Sequence, residues 1–207
     1  MAVAALLIYG VFGGKEGHPG NLIHAQDENE HNVLIVYYSY SGTTKRVAEQ
    51  LQGLTGGDLY DIQPARMYSS SSTLTTARLM WERFINRMPQ LAGELPNLDD
   101  YDLILVGSPV WNNNIANPVM SYLEQTDFKG KTVAPFWTYA GSTGSTSDTF
   151  ADYLVSADKK EGLGLSGAGA YSKERLKERL TEWLKSFLYR RKHKFAKHLS
   201  ILTIWRW

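Results

Sequence analysis

Three short apolar runs constrain the fold of this chain more than any other feature. They occupy residues 33–38, 103–106 and 132–137, and each is followed by a loop and then by a segment with helical spacing. Continuous apolar, β-branched runs of this length are typical of strands that are buried on both faces of a parallel sheet. The repeated order of strand, loop and helix predicts an α/β domain built on such a sheet.

The loop after the first run consists almost entirely of residues with a hydroxyl group and one glycine: Ser39, Tyr40, Ser41, Gly42, Thr43 and Thr44. A helix is predicted directly behind it, and the free amide N–H groups of the loop and of the first helical turn would converge where an anion is stabilised. Gly42 allows a close backbone approach and a positive φ. The pattern predicts a phosphate site. The alternative is an ordinary Ser/Thr-rich turn with Thr43 or Thr44 as the helix N-cap.

The loops after the other two runs carry different side chains. The second contains Ser108, Pro109, Val110, Trp111, Asn112 and Asn113, and the third contains Ala140, Gly141, Ser142 and Thr143. Helices are predicted behind both, the first capped by Asn117 and the second over residues 149–157. Ligands of open α/β sheets bind outside the carboxyl ends of the strands. A phosphate site, an aromatic platform and a loop of small residues at this edge suit a flat, phosphorylated, aromatic ligand.

At these three loops the chain resembles the flavodoxin family, and the resemblance extends over residues 32–188. The segment Ser39-x-Ser41-Gly42-x-Thr44 is similar to the family's FMN phosphate loop. Ser108-Pro109-Val110-Trp111 resembles the loop whose aromatic residue flanks the isoalloxazine, and Ala140-Gly141-Ser142 resembles the third flavin-contacting loop. The resemblance implies FMN as the cofactor, held by Ser39, Tyr40, Ser41, Gly42, Thr43, Thr44, Pro109, Val110, Trp111, Asn112, Asn113, Ala140, Gly141, Ser142 and Thr143, with Trp111 stacked on the ring.

The resemblance also implies the architecture: a three-layer α/β sandwich with a five-stranded parallel sheet in the order 2-1-3-4-5 and helices on both faces. Residues 59–62 and 162–165 are the candidates for strands two and five. Between strands two and three, an amphipathic pattern predicts a helix that covers the sheet with Leu74, Ala77, Met80, Trp81, Phe84 and Met88. The Ser-rich segment 65–72 is interpreted as a solvated connection, with Tyr68 as a lid over the flavin edge in the alternative.

The residue types missing from the core exclude several kinds of chemistry. All five histidines lie outside residues 33–170, and the chain contains no cysteine. A cysteine nucleophile, a histidine-based triad and a zinc site are therefore excluded from this region, and we predict neither catalytic residues nor a metal site. A bound cofactor would supply the chemistry. Because segments 108–119 and 138–147 contain no Lys or Arg, we expect a low flavin potential, since burial penalises an unpaired negative charge.

The resemblance implies an electron carrier that works between redox protein partners, a reductase and an acceptor. An FMN-dependent NAD(P)H:quinone or nitro-group reductase is the alternative, because one fold hosts both activities. Residues 33–170 hold ten Lys and Arg against fourteen Asp and Glu, and this acidic surface would steer a basic partner. The candidate steering residues are Asp58, Asp61, Asp99, Asp100 and Asp102. We expect a cytoplasmic location.

Two segments lie outside the region of resemblance. Residues 1–31 are interpreted as an atypical N-terminal extension, whose apolar part, 2–12, is shorter than the roughly 20 residues that span a bilayer and lacks signal-peptide features. Residues 189–207 form a basic, aromatic C-terminal tail that suits weak contact with an anionic membrane surface or with nucleic acid. A tail without function is the alternative. No transmembrane segment is predicted.

Overall fold

The structure, a computed structural model, describes residues 32–188. The expectations for residues 1–31 and 189–207 lie outside the described residues and stay predictions. The strands are β1 (Val33–Tyr37), β2 (Asp58–Asp61), β3 (Leu103–Trp111), β4 (Asn114–Ile115), β5 (Thr132–Tyr139), β6 (Asp158–Lys159) and β7 (Leu163–Ser166). The helices are α1 (Thr43–Thr55), α2 (Ser72–Phe84), α3 (Asn117–Gln125), α4 (Thr146–Tyr153) and α5 (Lys173–Leu188).

The sheet has the predicted parallel order, because β2, β1, β3 and β5 lie side by side and β6 and β7 both pair with the outer side of β5. The number of strands differs from the predicted five. The fifth position is divided between two short strands, since β6 pairs with β5 at Thr132 and β7 pairs with it from Phe136 onward. In addition, β4 forms an antiparallel hairpin with the end of β3. The described sheet therefore contains seven strands.

Each face of the sheet carries its own apolar core, as alternation along the strands requires. Leu34 and Val36 of β1 belong to a cluster with Tyr122 of α3 and Phe150 of α4. The intervening β1 residues belong to a second cluster, which α1 and α5 cover from the opposite side. Each fully buried side chain of this size contributes about 1.5–3 kcal/mol. The expectation of helices on both faces is confirmed, and the chain from β1 to α5 forms three layers.

Helix α2 does not cover the sheet in the way that its sequence pattern predicts. Leu74, Trp81 and Phe84 are 62%, 60% and 82% exposed, and Met80 is exposed as well. The residues that α2 buries are Thr75, Leu79 and Glu82. The prediction of an apolar contact face was wrong because α2 is anchored mainly by polar side chains, and its apolar pattern marks a surface.

The predicted steering residues are not gathered at the edge of the sheet where the three loops emerge. Asp58 begins β2, and Asp102 immediately precedes β3, so both lie at the amino edge of the sheet together with Asp99 and Asp100. Asp58 also accepts a hydrogen bond from Tyr101, at 2.9 Å. Of the five aspartates, Asp61 alone lies at the carboxyl end of its strand. Four of the five candidate steering residues therefore lie at the opposite edge of the sheet from the loops, and the steering of a basic partner stays a prediction.

Candidate functional site

The three loops predicted to form a site meet at the carboxyl edge of the sheet. The register pairs Tyr37 with Gly107 and Gly107 with Phe136, so that β1, β3 and β5 end next to one another. A buried hydrogen bond of 2.9 Å joins the hydroxyl groups of Thr44 and Thr138, and so links the start of α1 to the end of β5. The loops are held as one unit by contacts between elements, and the predicted juxtaposition is confirmed.

The first loop presents polar groups that an anion would satisfy. Gly42 precedes α1 with a φ of 85°, in the left-handed region, and is itself the N-cap residue. The alternative in which Thr43 or Thr44 is the cap is therefore wrong, because both already belong to the helix. The first turn of α1 contains no acidic side chain. The hydroxyl oxygen of Ser39 is buried and has no hydrogen-bond partner among the described residues, a costly state unless a ligand supplies one.

The second loop is a tight hairpin, a feature that was not predicted. Trp111 pairs with Asn114, and the two residues between them, Asn112 and Asn113, have φ angles of 46° and 59°. Two consecutive left-handed residues form a type I′ turn, which favours asparagine over other side chains that carry a Cβ. The run of three asparagines was the available signal. The backbone N–H of Ser145 donates to the Asn113 carbonyl at 2.9 Å, which joins this hairpin to the third loop.

The third loop is open to solvent. Ala140, Gly141 and Ser142 are exposed, and a Cβ added to Gly141 would meet nothing within 4 Å. The loop ends where the Thr146 hydroxyl donates to the carbonyl of Thr143 at 2.6 Å and begins α4. Helix α4 thus starts three residues before the predicted position. Small, exposed residues leave the backbone groups of this loop available to a ligand.

Trp111 lies in the centre of an aromatic cluster. Its ring centroid is 5.3 Å from Tyr38, 5.8 Å from Tyr40 and 4.9 Å from Tyr68, in each case with the rings nearly perpendicular. Edge-to-face packing of this kind is favourable. Tyr68 is 7% exposed, and the hydroxyl of Tyr40 donates to the carbonyl of Ser69 at 2.5 Å. The interpretation of segment 65–72 as a solvated connection is wrong at Tyr68 and Ser69. Tyr68 packs against Trp111, and Ser69 accepts the hydrogen bond from Tyr40.

The buried carboxylate of Glu82 accepts hydrogen bonds from several side chains near the Trp111 cluster. Sequence reasoning missed this arrangement. Glu82 accepts hydrogen bonds from the Tyr68 hydroxyl at 2.6 Å, from Arg78 Nε at 2.7 Å and from Asn117 Nδ2 at 2.8 Å. The cap of α3 is Ala116, so Asn117 is not the predicted N-cap. Its side-chain oxygen instead accepts a hydrogen bond from Arg83 Nε at 2.9 Å. The i, i+4 spacing of Arg78 and Glu82 was visible in the sequence. The partners of Glu82 in other elements were not.

Burial raises the pKa of several tyrosines at the site, and this predicts a loss of stability in alkaline solution. Burial, together with the nearby Asp61 carboxylate, raises the pKa of Tyr37 to about 12, and burial also raises the pKa of Tyr38 and of Tyr68. Above the ordinary tyrosine pKa of about 10, the unfolded chain loses protons that the folded chain retains. The free energy of unfolding should therefore fall as the pH rises from 10 toward 12.

Urea unfolding at a series of pH values from 8 to 11.5 measures this effect. We expect a nearly constant unfolding midpoint up to pH 9.5 and a steady decline above it. Tyr37→Phe, which has no hydroxyl to titrate, should make the decline shallower. A midpoint that rises between pH 10 and 11.5 would contradict the assignment of these tyrosines as buried and protonated.

Two other features are absent from the described residues. Residues 32–188 contain no group of three or more His, Cys, Asp or Glu side chains arranged to hold a metal ion. No helix in the same part of the chain is long and apolar enough to cross a bilayer. The polar groups of segments 39–44, 108–113 and 140–143 are hydroxyls, amides and backbone groups, which suit an organic phosphate better than a metal ion.

Comparison with known proteins agrees with this geometry. A flavodoxin family model matches residues 32–186. A candidate flavoprotein from Bacteroides eggerthii has a crystal structure that is 29% identical, with a TM-score of 0.63, over 74% of this chain and 98% of that chain. A flavoprotein from Lactobacillus acidophilus in complex with FMN is 23% identical, with a TM-score of 0.61, over 74% and 98% of the two chains. No curated protein matches.

The family match covers the whole of the described sheet and all three loops at its carboxyl edge. The similar solved structures share this fold. The chain belongs to the flavodoxin family.

Proposed function

We propose that this chain binds FMN at the carboxyl edge of the sheet and carries electrons between redox proteins. The observation that supports the proposal most directly is the buried, unpartnered hydroxyl of Ser39 beside the left-handed Gly42 at the start of α1. A phosphate group would accept from this hydroxyl and from the free N–H groups of the first helical turn. The relative from Lactobacillus acidophilus, which has the same fold, is described in complex with FMN.

The residues of the three loops fit the parts of FMN. Segment 39–44 would hold the phosphate, segment 109–113 would face the ring with Trp111, and segment 140–143 would complete the pocket with its exposed backbone groups. When bound, the flavin supplies the one- or two-electron chemistry, and the protein orients it and sets the charge around it. The domain that performs this function extends over residues 32–188.

A comparison of FMN with riboflavin, which lacks the phosphate, tests the phosphate site. Several charge-assisted hydrogen bonds contribute about 1.5–3 kcal/mol each, so we expect FMN to bind about a hundredfold more tightly or better. Ser39→Ala should weaken FMN about tenfold and leave riboflavin unchanged. The exposed Ser70→Ala is the matched control. Equal affinity for the two flavins, measured by quenching of flavin fluorescence, would remove the proposed phosphate site.

The carrier role is separated from a reductase by a turnover assay with the FMN-loaded protein. We expect no oxidation of NADPH with quinone unless a separate reductase is added. Direct turnover of NADPH would instead identify the protein as an oxidoreductase. We further propose redox proteins as its partners and the cytoplasm as its location.

A further inference from the structure

One arginine of α2 donates hydrogen bonds to the hairpin that carries Trp111. Arg83 Nη2 donates to the carbonyls of Trp111 at 3.2 Å and of Ile115 at 3.0 Å, and Nη1 donates to the carbonyl of Asn112 at 3.4 Å. Three backbone acceptors of one short hairpin thus converge on a single guanidinium. The planar guanidinium of arginine presents several N–H donors in a fixed geometry, which the ammonium group of lysine does not provide.

The guanidinium is held in place by its own partners. Its Nε donates to the side-chain oxygen of Asn117, and the nitrogen of the same amide donates to Glu82 and to the carbonyl of Leu79 at 3.2 Å. Asn117 is fully buried. Because each member of this chain of hydrogen bonds has its partners, Arg83 is oriented before any ligand binds.

Arg83 also places a positive charge beside a loop whose own sequence has none. Segment 108–119 contains no Lys or Arg, yet the Arg83 guanidinium is within hydrogen-bond distance of Trp111 and Asn112 in that segment. Burial lowers the pKa of Arg83, and an arginine in a protein nevertheless stays charged. The expectation of a low flavin potential took account only of the residues in the loops, and Arg83 belongs to α2.

We propose that Arg83 is a positioning residue, which fixes the Trp111 hairpin in the orientation that receives the flavin ring and raises the flavin potential with its charge. This inference rests on the proposed FMN binding. The hairpin needs such support because its turn is made by two left-handed asparagines, a conformation that costs free energy for residues with a Cβ. Arg83 holds the hairpin on the α2 side, and Ser145 holds it on the side of the third loop.

Three variants separate position from charge. Arg83→Met removes the hydrogen bonds and the charge, whereas Arg83→Lys keeps the charge but not the planar set of N–H donors. Arg87→Met removes an exposed arginine just beyond the same helix and is the matched control. The measurements are amide hydrogen exchange of residues 111–115 in the cofactor-free protein, the dissociation constant of FMN, and the reduction potential of the bound flavin.

We expect Arg83→Met to speed exchange in 111–115 about tenfold and to weaken FMN about tenfold. Its flavin potential should fall by about 30 mV, the two-electron equivalent of a tenfold change. Arg83→Lys should show the faster exchange and weaker binding but keep the wild-type potential. Arg87→Met should change none of these quantities.

The proposal is overturned if exchange and FMN affinity in both Arg83 variants equal those of Arg87→Met. A potential that falls equally in Arg83→Lys and Arg83→Met would overturn the role of the charge. If the wild-type protein bound no FMN, the proposed function would fail, while the exchange measurement in the cofactor-free protein would still decide whether Arg83 fixes the hairpin.

Discussion

Trp111→Ala is expected to weaken FMN binding by roughly thirtyfold to a hundredfold. Stacking of a flat ring on an aromatic side chain is worth about 1–3 kcal/mol, and Trp111 is the residue around which Tyr38, Tyr40 and Tyr68 are packed. Its loss would remove the stacking surface and also leave a gap between three rings. A titration followed by flavin fluorescence gives the dissociation constant directly, and Trp111→Phe should recover most of the affinity.

The control for this prediction is a more exposed tryptophan that lies outside the site. Trp81 on α2 is 60% exposed and packs against Phe84 with ring centroids 5.9 Å apart. Trp81→Ala should leave the FMN dissociation constant within twofold of wild type. If Trp111→Ala also stays within twofold, Trp111 does not cover the flavin ring and the proposed arrangement of the second loop is wrong.

The parallel core could be predicted from sequence because its signals are local. Continuous apolar runs at β1, β3 and β5 indicated strands buried on both faces, and the loops behind them had to meet at one edge. The strand order came from the family resemblance and is confirmed. The first loop was also predicted locally, since its glycine and hydroxyl residues stand directly between a strand and a helix.

The environment of Trp111 could not be predicted because it is made by residues distant in sequence. Glu82 and Asn117 are 35 positions apart and Arg83 and Ile115 are 32 apart, yet both pairs are hydrogen-bonded. Helical periodicity assigned the apolar stripe of α2 to the core, whereas the buried side of that helix holds a carboxylate with three donors. Only the Arg78–Glu82 pair of this polar cluster has helical spacing, because Tyr68 and Asn117 come from other elements.

Among the variants of α2, Glu82→Ala is expected to have the largest effect on stability. Glu82 is 8% exposed and accepts from Tyr68, Arg78 and Asn117. Its removal would leave the buried Tyr68 hydroxyl without its acceptor and the buried Asn117 amide with one acceptor fewer, and would leave Arg78 without its ion pair. Each unsatisfied buried donor costs about 1–3 kcal/mol, so we expect the free energy of unfolding to fall by about 3 kcal/mol.

Chemical unfolding of the cofactor-free protein measures this loss, and the exposed Glu94→Ala is the matched control, expected within about 0.5 kcal/mol of wild type. Glu82→Gln keeps the size and one acceptor oxygen of the side chain, so its loss should be intermediate. Because Asn117 also orients Arg83, Glu82→Ala should weaken FMN binding in addition to lowering stability. A stability equal to that of Glu94→Ala would mean that the buried carboxylate does not anchor α2, and Thr75, Leu79 and Arg83 would then have to hold that helix in place.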